Sequence, residues 1–239
     1  MIQEPMFAPK SNWEIPDLFP NIPETKTIAV DLETCDPNLL VKGPGWATGD
    51  GYVIGVGVAT DDWKGYFPFR HQGGGNLDEG LVLKWLSKTL SSNKRDVVFH
   101  NSLYDVGWLK REGVEVCGNI VDTMFAAPLI DENRRSYSLD SLGESYCNNK
   151  KDESLLQDAA LAYGVNPKSE MYKLHSKYVG PYGEQDAALT LKVWDKLKQE
   201  IKSQDLSKIY ELETSLIPLL IEMRWRGVRV DEEKAELTS

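Results

Sequence analysis

Cysteine is scarce and scattered in this chain. Cys35, Cys117 and Cys147 are the three in 239 residues, far apart and without a CxxC pair. That excludes a disulfide framework and a zinc site, and the three read as small buried hydrophobes. No run approaches the roughly 20 apolar residues of a bilayer-spanning helix. Met1 to Lys10 lacks the basic-then-apolar layout of a secretory leader. The expectation is a cytoplasmic protein with no membrane partner. Gly73-Gly74-Gly75 is followed by no Lys-Ser/Thr, so it is a loop and not a phosphate cradle. There is no internal repeat, no low-complexity tract and no heptad pattern, and a monomer is expected.

Positive charge is also in short supply. Lys and Arg total 27 against 37 Asp and Glu, a formal net charge of -10. Alone, that argues against a phosphate-binding protein. A site that gathers divalent cations, however, needs clustered carboxylates, which themselves add negative charge, so the overall balance excludes little. The basic pairs Lys94-Arg95, Arg134-Arg135 and Lys150-Lys151 read as solvated surface pairs.

What is present is a globular composition, 41% hydrophobic and 27% charged, enough for one large core with a smaller appendage. Pro5, Pro9, Pro16, Pro20 and Pro23 mark residues 1–23 as an extended lead-in lying on a body. Residues 27–34 (TIAVDLET) form a β-branched strand, and 35–51, rich in Gly and Pro, a loop. Residues 52–60 and 63–69 read as a hairpin turning at Asp61-Asp62. A helix follows over 77–90, then a strand over 96–100, a helix over 102–112, and a short strand at Ile120-Val121. Asp122 is placed to cap the next helix. Helical periodicity then dominates, near 123–130, 138–147, 154–163, 182–202 and 205–226. This order predicts an α/β fold, a mixed sheet flanked by helices, with its first strands antiparallel and its later ones parallel.

Asp31 and Glu33 are two apart on the first strand, so both point to one face. Two acids there repel each other and are costly to desolvate unless a cation lies between them. Oxygen-only ligands favour Mg²⁺ or Mn²⁺ over zinc. Asp105 follows the fourth strand, at the edge where open α/β sheets place their sites. Tyr182 and Asp186 are four apart and share a helix face that can meet Asp31 and Glu33 from above. Each piece alone has a plainer reading as an edge acid, a cap or a packing pair. Their combination and order carry the signal.

Asp31-Leu32-Glu33-Thr34, then Asn101-x-x-Tyr104-Asp105-x-x-Trp108-Leu109, then Tyr182-x-x-x-Asp186 resemble the motifs of the DEDD exonuclease superfamily in its tyrosine-bearing branch. The similarity covers residues 24–205. Asp122-Thr123-Met124 and Ser138-Leu139-Asp140-Ser141-Leu142 match structural segments of that family. Leu212 to Asp231, with Pro218, Gly227 and Val228 in place, resembles the start of the polymerase domain of family A DNA polymerases. The resemblance implies a ribonuclease H-like fold and two-metal phosphodiester hydrolysis at a single-stranded DNA 3′ end. It implies that Asp31, Glu33 and Asp186 hold one divalent cation, and that Asp31 bridges to a second supported by Asp105. Tyr182 would orient the attacking water while staying protonated. Leu32, Thr34 and Asn101 would touch substrate. His100 reads as strand-end packing, and Tyr172 and Tyr178 as core. The loop after Glu33 departs from the family's usual form. An RNA-processing exoribonuclease and a catalytically silent scaffold remain the alternatives.

Overall fold

The computed structural model describes Pro5, residues 7–231, Lys234, Glu236 and Leu237. Met1–Glu4, Met6, Glu232, Glu233, Ala235, Thr238 and Ser239, at the outer ends of the expected lead-in and tail, lie outside the described residues. Strand β1 (Ile28–Cys35) runs through the middle of a five-stranded sheet of order β3-β2-β1-β4-β5. Strands β2 (Tyr52–Ala59) and β3 (Lys64–Pro68) join it antiparallel, while β4 (Asp96–Phe99) and β5 (Asn119–Asp122) are parallel to it. The predicted mixture of directions is observed. Between them, residues 35–51 are not simply a loop. They contain two one-turn helices, α1 (Leu39–Lys42) and α2 (Gly45–Thr48). Asp36 accepts the Gly45 amide at 2.9 Å, and Trp46 is buried against Gly107. A buried tryptophan gives this Gly-rich stretch an anchor that local propensity does not show.

Helices cover both sheet faces, so β1 is apolar on both sides at its start. Ile28, Val30 and Leu32 face a core with α3 (Glu79–Leu90) and α4 (Ser102–Arg111). Ala29 faces the opposite core, with α5 (Thr123–Ile130), α6 (Leu139–Cys147) and a long helix, α8 (Ser176–Ser203). Helix α7 (Ser154–Tyr163) and a 3₁₀ turn at Met171–Lys173 extend that layer. Of the three cysteines only Cys35 is buried, and Cys117 is exposed, against expectation. Asp122 caps α5 as predicted, accepting the Met124 amide at 2.7 Å, and it also accepts the Ser102 amide at 2.6 Å at the start of α4. One buried carboxylate thus ties two helix N-termini to the end of β5.

Helix α8 (Ser176–Ser203) starts six residues before the expected position and runs through Pro181. Proline cannot donate to the carbonyl four residues back. That carbonyl, of Lys177, instead accepts the Ser11 hydroxyl at 2.7 Å. Trp13 continues the repair: its indole N–H donates to Glu184 at 2.8 Å, and its ring lies where a side chain on Gly180 would be. The lead-in therefore completes α8. In the tail, the expected single helix over 205–226 is two, α9 (Ser207–Ser215) and α10 (Ile217–Arg226). Pro218 has no amide hydrogen with which to continue one helix. Among the described residues no helix is long and apolar enough to cross a membrane.

Gly57, opposite Asp31 in the β1–β2 ladder, sets the distance between α8 and the sheet. A Cβ there would lie 2.3 Å from the carbonyl oxygen of Gly183 on α8. Gly57→Ala is expected to push α8 off the sheet and destabilise the protein by about 1–3 kcal/mol. A urea unfolding midpoint equal to that of the parent would show that the contact is not limiting.

Candidate active site

The close seat of α8 brings Asp186 onto the acidic face of β1. One oxygen from each of Asp31, Glu33 and Asp186 lies within 4.8 Å of the others. Glu33 and Asp186 are buried, while Asp31 is half-buried at the mouth of a cleft of about 330 Å³. Among the described residues Glu33 Oε1 and Asp186 Oδ1 are buried without a hydrogen-bond partner. Native proteins rarely leave such atoms unmatched. An all-oxygen set with two orphaned oxygens fits a hard divalent cation.

Electrostatics agree with the geometry. Burial, then the charge of Asp186, pushes the Asp31 carboxyl up to about 7, against the pull of Lys151 and Lys168. Burial, then Asp31, drives Glu33 well above the usual carboxylate range, and burial also raises Asp186. Asp105 is raised as well, first by burial and then by the Asp31 charge. It is near the cluster but not of it: Asp105 is buried on α4, and its Oδ1 accepts the Leu32 amide at 3.1 Å.

Tyr182 lies beside Asp186 in the cleft. Burial, then Glu33 and Asp186, raises its hydroxyl far above the ordinary phenol range, so it is protonated at neutral pH. Asn101 lines the cleft from a left-handed backbone conformation, φ 75°, at the start of α4. Asparagine tolerates that region better than most residues. Thr34 lines it too, but its hydroxyl is bonded to Tyr104 at 2.7 Å. Leu32 borders the cleft with its amide committed to Asp105 and its side chain in the core. His100 is bonded to Thr123 at 2.8 Å, and burial lowers it to about 4, so it is neutral packing as expected. Tyr178 is fully buried in the core and Tyr172 packs edge-on against Tyr52.

Two lysines were not foreseen. Lys151, read as half of a solvated pair, has a side chain only 7% exposed and donates to Asp186 Oδ2 at 3.0 Å. Lys168 donates to the Tyr182 hydroxyl at 3.0 Å and sits 4.2 Å above its ring. Nothing local separates Lys151 from the exposed Lys150 beside it. The difference is which way the link between α6 and α7 turns.

The sequence profile of the 3′-5′ exonuclease domain of DNA polymerase A type matches residues 9–202. The chain belongs to that exonuclease family. A DNA-directed DNA polymerase of Pseudomonas phage M6 is 38% identical over 243 residues, covering 99% of this chain and 37% of that protein. The chain spans about a third of the length of such curated relatives. Brucella melitensis NrnC shares the fold at a TM-score of 0.62 and 14% identity, over 85% of this chain and 87% of that one. Pol1 from M. smegmatis, in complex with DNA primer-template and dNTP, matches at 0.57 and 17% identity, over 86% of this chain and 29% of that one. The ribonuclease H-like exonuclease fold is thus the one expected. The exonuclease domain builds its acidic cluster at the centre of that fold, Asp31 and Glu33 on the middle strand and Asp186 on α8.

An acid whose folded pKa is raised binds more protons folded than unfolded, so its contribution to stability falls as pH rises. For Asp31 the window runs from the unfolded value near 4 to about 7, and the upward shifts of Glu33 and Asp186 have the same sign. In EDTA, unfolding free energy from urea titrations is expected to decline across that window. Asp31→Asn should flatten the decline. An equal slope in both proteins would mean that the cluster is not strained.

Proposed function

We propose that this exonuclease domain removes nucleotides from the 3′ end of single-stranded DNA, using two divalent cations, Mg²⁺ or Mn²⁺, as the proofreading part of a family A DNA polymerase. The observation that carries the reading is the carboxylate triad Asp31, Glu33 and Asp186, with two orphaned oxygens, opening into a cleft beside Tyr182. Asp31, Glu33 and Asp186 would hold one cation, and Asp31 would bridge to a second supported by Asp105. Bound there, such cations lower the pKa of a water and neutralise charge on a scissile phosphate.

The chain's own groups do the rest. Tyr182 keeps its proton and accepts from Lys168, so its hydroxyl is fixed in direction and suited to orient a water and not to deprotonate it. Lys168 is 49% exposed at the cleft and offers positive charge to an entering phosphate. Leu39, Tyr104 and Met171 give the cleft apolar and aromatic walls, which suit an unpaired terminal base. Asn101 and the β1 backbone at Leu32 and Thr34 border the sugar side of that space. DNA is preferred over RNA as substrate because curated relatives 38% and 30% identical to the chain are named DNA polymerases. On the same reading the segment from Leu206 onward begins a polymerase domain. Its exposed Leu212, Leu219, Leu220 and Met223 would meet the rest of that domain in a cytoplasmic, monomeric enzyme.

A 5′-labelled single-stranded DNA incubated with the chain and Mg²⁺ or Mn²⁺ should shorten to a ladder from its 3′ end. EDTA and Asp31→Ala should each abolish the ladder, and an RNA of the same sequence should be cut more slowly. A folded sample that leaves both polymers intact would oppose the reading. Tyr182→Phe should retain Mn²⁺ binding and lose on the order of 10²-fold in kcat. An unchanged kcat would remove Tyr182 from the reaction.

A further inference from the structure

We propose that Lys151 is a built-in counter-ion, holding Asp186 in the metal-free protein and competing with a divalent cation for it. The inference rests on the metal reading of the carboxylate triad. Lysine is strongly hydrated and is almost never buried unpaired. The Lys151 ammonium lies 3.0 Å from Asp186 Oδ2 and 3.0 Å from Asp140 Oδ1, and 5.1 Å from the centre of the Tyr182 ring. One close partner is an acid of the triad and the other is a carboxylate 60% exposed on α6, with Glu153 Oε1 farther off at 3.9 Å.

That placement gives the ammonium two seats. In the first, it offsets the repulsion among Asp31, Glu33 and Asp186. In the second, once a divalent ion claims Asp186, it is retained by Asp140 and need not leave the protein. A positive charge bonded to a metal ligand opposes a second cation at the same acid. Lys168 does not share this role, since its bonds are to Tyr182 and Glu153. Asp140 would therefore favour metal loading from outside the triad.

The test is Mn²⁺ titration of the parent chain, Lys151→Met, Asp140→Asn and the double variant, followed by the electron paramagnetic resonance of free Mn²⁺. Thermal unfolding in EDTA and in saturating Mn²⁺ runs beside it. Lys151→Met should bind Mn²⁺ on the order of tenfold more tightly. Its Tm should fall in EDTA but match the parent's in Mn²⁺. Asp140→Asn should bind more weakly, and that loss should vanish when Lys151 is already Met. Equal or weaker binding by Lys151→Met would overturn the proposal. If Lys151→Met does not fold, Asp140→Asn decides: affinity equal to or above the parent's overturns it. A parent chain that binds no Mn²⁺ would overturn the metal reading, and this inference with it.

Discussion

Three carboxylates converge where β1 meets α8, and the rest of the structure is arranged around that repulsion. Like charges at such separations, partly withdrawn from water, disfavour their own ionised forms. The upward shifts of Asp31, Glu33 and Asp186 express this in protons. Such a cluster persists only if the scaffold holds it and cations relieve it. Lys151, in contact with Asp186, is the relief that the chain itself provides, with Lys168 acting at longer range, and Glu33 Oε1 and Asp186 Oδ1 have no hydrogen-bond partner among the described residues.

The scaffold's contribution is proximity. Asp31 and Glu33 are placed by the alternation of a central strand, which needs no further explanation. Asp186 is placed by a helix that must come closer to the sheet than ordinary side chains permit. Gly57 and Gly183 remove the obstacle. Pro181 would weaken the same helix just before the site, and Ser11 and Trp13 from the lead-in mend it. The proline-rich segment, extended and without a core of its own, thereby becomes part of what holds Asp186.

Much of this was legible in the residues. The mixed sheet, its strand directions and the acid-bearing strand followed from periodicity and turn chemistry. The pairing of Tyr182 with Asp186 followed from helical spacing. What escaped notice had no local signature. The one-turn helix at 45–48 is anchored by Trp46 packing at Gly107. The early start of α8 was obscured by Pro181, a helix breaker by propensity whose defect is mended from 166 residues away. The break at Leu216 was hidden by an apolar rhythm that continues across Pro218.

The sequence by itself determined which residues are acidic, which of them share a face, and the order in which the motifs recur. These are properties of neighbours along the chain, governed by strand and helix periods. Only the tertiary structure decided that Lys151 is buried on Asp186 while Lys150 is exposed, and that Asp105 bonds the Leu32 amide from the layer opposite α8. Those outcomes depend on how layers stack and where links turn. Contacts between distant segments are set by packing distance and charge, which no local pattern encodes.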